Sequence, residues 1–131
     1  MITTKDIEQI LVDDLRAVMD IGRIYVSDDI PDGFVEEERI TVHVKQTTTG
    51  TFFNRCFVEI NHAVPDLAGR PDPRLQQAER ALVRWLDADH VGSFDGTWYR
   101  YGVESHQILP SGLHCHYANV RVLFEILNTR A

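Results

Sequence analysis

Basic stretches, paired cysteines and long apolar runs are all missing from this chain of 131 residues. The two cysteines, Cys56 and Cys115, lie far apart and outside any CxxC spacing, so no disulfide framework, thiolate metal site or redox motif is encoded. Reduced, buried thiols are expected, because free Cys packs as a small apolar side chain. No apolar run approaches the ~20 residues of a membrane helix. The opening Met1-Ile2-Thr3-Thr4-Lys5-Asp6 lacks the basic and apolar regions of a secretory signal, and a cytosolic chain is expected. Five Pro and eight Gly are too few for a low-complexity segment. There is no GxSxG elbow for a nucleophile and no GK[ST] after a glycine loop for a phosphate.

What is present suits one folded domain spanning 1–131. The composition is 44% hydrophobic and 25% charged, and the mass is 15.0 kDa. Surface scaling gives roughly 7,000 Å² folded against about 22,000 Å² unfolded, enough burial for a core without metal or disulfides. The net charge of −7 is unevenly placed. Residues 1–38 hold 3 basic and 11 acidic side chains, while 39–131 hold 10 and 9. Without a basic stretch the chain is a poor nucleic-acid binder, since phosphate neutralisation supplies most of that affinity.

Periodicity outlines the elements. Ile7, Ile10, Leu11, Leu15, Val18 and Met19 recur at helical spacing and predict a helix over 4–19, with Asp6, Glu8, Asp13, Asp14 and Arg16 mostly outside. Thr3 or Thr4 is the expected cap and Gly22 the expected stop. A short strand at 23–26 leads into a turn-rich acidic loop. Ile40, Val42 and Val44 alternate with Thr41, His43 and Lys45 as a half-buried strand. Gln46–Thr51 is a polar hairpin tip. A second strand over about 52–64 sets Cys56, Val58, Ile60, His62 and Val64 on one face, with Phe53, Phe57 and Ala63 on the other. Asp72 as N-cap and Pro73 open a second helix with Leu75, Ala78, Leu82, Trp85 and Leu86 inward. Gly92–Gly96 reads as a loop tip. An aromatic strand at 98–103, a turn at Pro110-Ser111-Gly112 and a final strand over Leu113–Leu127 follow. The expected fold is α+β: a mostly antiparallel sheet carrying two helices, in the order α-β-β-β-α-β-β.

Three groups merit chemical scrutiny. If Pro110–Gly112 is the hairpin loop, Leu109 faces Leu113, His106 faces His116, and His114 lies two residues away on the same face. Three imidazoles would then suit zinc with an open fourth position. A one-residue bulge would separate them, and the alternative is ordinary surface or half-buried histidines. Asp28, Asp29, Asp32, Glu36, Glu37 and Glu38 offer carboxylates but read as a charged surface, because raised pKa values need burial that such a loop seldom provides. Trp98, Tyr99 and Tyr101 suit strand packing or a subunit interface better than base stacking, for want of a basic groove. No catalytic signature emerges and no cofactor is implied, so a structural role rather than an enzyme is expected.

The whole-chain pattern resembles the tail-terminator, or tail-completion, proteins of long-tailed bacteriophages and prophages, within the head–tail joining group. The resemblance rests on the amphipathic helix Thr4–Met19, the junction Gly22-Arg23-Ile24-Tyr25 and the acidic loop Ser27–Gly33. It continues through the strand Ile40–Lys45, the polar tip Gln46–Thr51, the long strand Phe53–Val64, the helix Pro73–Leu86 and closing strands ending Val120–Ile126. The connection Ala63–Asp72 is longer than in many relatives. The resemblance implies a virion protein, made in the bacterial host cytoplasm, that assembles as a six-fold ring on the tail tube. Its partners would be the tail-tube protein and the head connector, with DNA passing through the ring unbound and no membrane involved. Asp28, Asp29, Asp32 and Glu36–Glu38 become candidates for the lumen or a ring face, because acidic walls repel phosphate. Thr47, Thr48, Thr49 and Gly50 at the tip become candidates for contact with the tube. Another neck or minor tail protein is the nearest alternative, and a metal-dependent enzyme using His106, His114 and His116 the more distant one.

Overall fold

A computed structural model of the chain describes residues 2–49, 53–67 and 69–127. Helix α1 is Thr4–Val18, and its start follows from local chemistry. The Thr3 hydroxyl accepts from the Asp6 amide (3.2 Å) while the Asp6 carboxylate accepts from the Thr3 amide (2.9 Å), a reciprocal capping box. The helix ends at Met19, whose amide donates to the Leu15 carbonyl, three residues before the expected stop at Gly22. Ile7, Ile10, Leu11 and Leu15 are buried as the spacing requires. Glu8, expected outside, is buried as well and keeps its charge company with Lys5 at 3.3 Å.

Strands β1 (Ile24–Val26), β2 (Arg39–Thr49) and β3 (Phe53–Pro65) come next. Helix α2 spans Asp72–Leu86 and buries Leu75, Ala78, Leu82, Trp85 and Leu86, the expected stripe. Its N-cap is Pro71, with no side-chain cap, so Asp72 occupies the first turn instead of capping it. Strands β4 (His90–Phe94), β5 (Thr97–Ser111) and β6 (Cys115–Leu127) complete the chain. The expected α+β order is present, with one addition. The segment expected as a loop tip at Gly92–Gly96 is mostly strand β4, closed by a two-residue Asp95-Gly96 turn in which both residues have positive φ (48° and 75°). Asp-Gly is the preferred chemistry for such a turn, because its twist matches that of the flanking strands.

The six strands form one sheet in the order β1-β2-β3-β6-β5-β4, antiparallel except for β1 beside β2. Both helices cover the same face. Helix α1 lies on β2, and α2 lies on β3, β5 and β6. Between them and the sheet sits the core, where Leu11, Leu15, Ile40, Val42, Val58, Ile60, Leu82, Val120, Val122 and Phe124 are fully covered. Cys56 and Cys115 are free and buried, and burial pushes the Cys56 thiol up to about 11. The aromatic strand divides as its pleat dictates. Tyr99 and Tyr101 stack on Phe124 with ring centroids 5.2 and 5.8 Å away, while Trp98 points to solvent.

Phe124 is the largest fully buried side chain. Phe124→Ala should lower unfolding free energy by about 3–5 kcal/mol, the usual cost of such a cavity. Urea denaturation checks this, and a loss below ~1 kcal/mol would contradict the packing described.

Candidate functional site

The histidine group is dispersed by strand register. The β5–β6 turn is Gly112-Leu113-His114, with Ser111 opposite Cys115, so Leu109 faces Tyr117 rather than Leu113. His106 faces Val120, not His116, which leaves the two roughly 13 Å apart along the strand. The cause is the turn. His114 adopts a left-handed conformation (φ 57°) that closes a three-residue loop and sets one unbroken register from Ser111 opposite Cys115 back to Ser105 opposite Arg121. Each ring then finds its own partner: His106 with Glu79 at 2.9 Å, His116 with Asp66 at 2.8 Å, and His114 stacked on Phe34 with centroids 3.8 Å apart. Among the described residues, no group of three or more His, Cys, Asp or Glu side chains gathers to hold a metal.

The acidic segment between β1 and β2 is held in place. Lys5 reaches Asp28 at 3.0 Å, and the Asp29 amide donates to the Val26 carbonyl. Val35 is buried against Ala63 and Cys115, and its amide donates to the Leu113 carbonyl. Asp28, Asp29, Asp32, Glu36 and Glu37 stay exposed along this path. Glu38 does not. Its carboxylate accepts from Arg74 Nε at 2.8 and 3.0 Å and faces His62 Nε2 at 2.7 Å. The expected polar tip begins later than Gln46, since Thr47, Thr48 and Thr49 belong to β2 and pair with Cys56, Arg55 and Asn54. Gly50 lies outside the described residues.

The Glu38–His62–Arg74 cluster ties the start of β2 to β3 and α2. Burial pushes the Glu38 carboxyl up, but hydrogen bonds from Arg74 and His62 outweigh it and hold the pKa below its ordinary value. Burial likewise dominates at His62 and pushes the imidazole below its ordinary value, against the pull of Glu38. The two directions agree on one state: Glu38 ionised and held chiefly by Arg74, with His62 neutral and donating its Nε2–H. Its Nδ1, which has no partner, is then a bare acceptor rather than a costlier buried N–H. No short motif announces this cluster, because its three members come from separate elements.

The helix-free face of the sheet is the more extended feature. Cross-strand register lays polar side chains in rows. Arg55, Glu125 and Arg100 form one row, with Glu125 3.7 and 3.1 Å from the two guanidinium groups. Glu59 and Arg121 form the next, 3.9 Å apart, with the Arg121 guanidinium 4.0 Å from the Phe57 ring centroid. Thr41, Asn61, Asn119 and Gln107 then align across four strands. Within this row Asn119 Nδ2 donates to Asn61 Oδ1 at 2.7 Å and to Glu59 at 2.8 Å. The last row places Arg39 beside Ala63, Tyr117 and Leu109. A groove of about 450 Å³ runs over the last two rows, bordered by His43, Lys45 and Glu59 and by Ile30 of the acidic segment. A second cleft of about 330 Å³ lies between the end of α1 and β4. There the Tyr101 hydroxyl donates to Asp14 at 2.5 Å, and burial, with Asp14 adding, raises the pKa of Tyr101.

For the Glu38–His62–Arg74 cluster, both native pKa values lie below their unfolded counterparts, so the unfolded chain binds more protons. Stability should therefore be fully expressed above about pH 6.5 and fall on acidification, first through His62 and then, below about 4.5, through Glu38. Urea unfolding across this range should show the decline, and His62→Gln should remove its upper part. A stability that rises from pH 6.5 to 5 would refute the assignment. Glu38→Gln should lower stability at neutral pH by about 1–3 kcal/mol, since Arg74 loses its carboxylate.

No protein-family pattern matches the chain, and no curated protein matches it. A solved structure shares the fold. The likeness covers 95% of this chain and 93% of that one, with a TM-score of 0.64 at 12% identity. It establishes the α+β architecture alone.

Proposed function

We propose that this chain is a structural subunit of the head–tail junction of a long-tailed phage or prophage. In this reading it is made in the bacterial cytoplasm and incorporated into the virion, where it closes as a six-fold ring on the tail tube. It contacts the tail-tube protein and the head connector and lets DNA pass without specific binding.

The observation that supports this best is the contrast between the two edges of the sheet. At the β1 edge the chain runs into the exposed carboxylates Asp28, Asp29, Asp32, Glu36 and Glu37. At the opposite edge Val91 of β4 is 63% exposed and Trp98 of β5 is 50% exposed, with exposed Val18 lining the same cleft as Val91. A closed ring of identical subunits needs two unlike patches that meet head to tail, whereas a two-fold dimer needs one patch that matches itself. Large, partly polar Trp98 suits the centre of such a contact. The acidic residues have no affinity for phosphate, which favours sliding over sticking. No helix among the described residues is long and apolar enough to cross a membrane.

Disrupting the gene in its host and imaging the particles tests the reading. Tails of uncontrolled length without attached heads are expected, and tails of normal length joined to heads would overturn it. Complementation with the wild-type gene should restore joined particles. Trp98→Glu, a surface change that should leave the circular dichroism spectrum and stability near wild type, should fail to do so.

A further inference from the structure

Arg39 is the exception on the helix-free face. Arg55, Arg100 and Arg121 each have a carboxylate within 3.9 Å. Arg39 faces Ala63 across the sheet, is only 7% exposed, and its Nε has no partner. Among the described residues no hydrogen bond or ion pair reaches its side chain. A largely buried arginine whose Nε lacks a partner and which has no counter-charge is costly, and an anion in the groove would offset that cost. The one carboxylate lining the groove, Glu59, is engaged by Asn119 and Arg121.

We infer that the groove beside Arg39 is a binding site for an organic monocarboxylate, with the guanidinium fork receiving the carboxylate. The lining suits a ligand with one anionic end and an apolar body. The Arg39 fork matches a planar carboxylate, and His43 and Lys45 also line the groove. Ile30, Leu109 and Leu113 supply an apolar wall for the ligand's uncharged part. The Thr41–Asn61–Asn119–Gln107 row supplies hydroxyl and amide groups opposite it. Such a carboxylate can belong to a free small molecule or to an acidic side chain of a neighbouring copy. The site stands apart from the ring reading and does not depend on it.

The arginine Nε–Hε resonances of isotope-labelled protein report on Arg39 directly. N-acetyl-leucine, a free monocarboxylate, should move the Arg39 signal saturably and raise the melting temperature. N-acetyl-leucinamide, which lacks the carboxylate, should do neither. Arg39→Lys should weaken binding about tenfold, and Arg39→Gln should abolish it. A synthetic peptide of residues 27–38 separates the sources: saturable binding by the peptide, with none by N-acetyl-leucine, assigns the carboxylate to a neighbouring copy. The proposal fails if none of these probes moves the signal, if the amide binds as well as the acid, or if inorganic phosphate binds more tightly. Arg39→Met should also unfold at an equal or higher urea concentration, whereas a purely structural arginine would lower it. If the Arg39 variants do not fold, Leu109→Trp, which narrows the groove while keeping Arg39, must abolish binding.

Discussion

The uninterrupted antiparallel pairing of β3 with β6 is the constraint from which the rest follows. It runs from Phe53 opposite Leu127 to Pro65 opposite Cys115 without a bulge, at the centre of the sheet. Because strand side chains alternate with a period of two, this single register decides both faces at once. On one, Val58, Ile60, Val120, Val122 and Phe124 meet the helices and lose contact with water. On the other, Glu59 meets Arg121 and Asn61 meets Asn119. A slip of one residue would bury those charges and expose the core. The apolar face supplies the stability, and the polar rows penalise every competing register.

The two outer parts of the sheet are looser in construction and richer in chemistry. The β2–β3 pairing shifts between Val44 and Thr47, and β5 bulges between Val103 and Ser105. That second bulge lets His106 share the helix-covered side with Tyr101 and Val103, where Glu79 of α2 receives it, while the β5–β6 turn takes the histidines out of register. The crossover between parallel β1 and β2 is made by the acidic segment, anchored through Val35 and Phe34 at the far end of the sheet. Its carboxylates are thus presented from a fixed backbone. Glu38, at its end, turns inward to Arg74 and His62 and joins the segment to α2.

Arg39 stands one residue beyond Glu38, and strand alternation sends the two side chains to opposite faces. Glu38 therefore completes an internal cluster, while Arg39 comes to the helix-free groove without a counter-charge. The contrast shows how little sequence distance says about role. These adjacent residues of opposite charge are separated by the sheet itself.

Much of the fold was legible in the residues because it depends on local and periodic signals. The Thr3/Asp6 cap, the inward stripe of α2 and the alternation in β2, β3 and β6 each follow from spacing alone. The Asp95-Gly96 turn carried its own signal as well, and β4 follows from it once Asp-Gly is read as a hairpin. The charge imbalance before residue 39, the lack of a basic stretch and the scarcity of cysteine are likewise properties of the sequence. The functional geometry was not legible in this way. Whether His106 meets His116, whether Glu38 is solvated, and whether Arg39 has a partner all depend on bulges, turn conformation and inter-strand register. Those are decided by which long-range pairing buries the most apolar surface, a quantity that no short window of sequence contains.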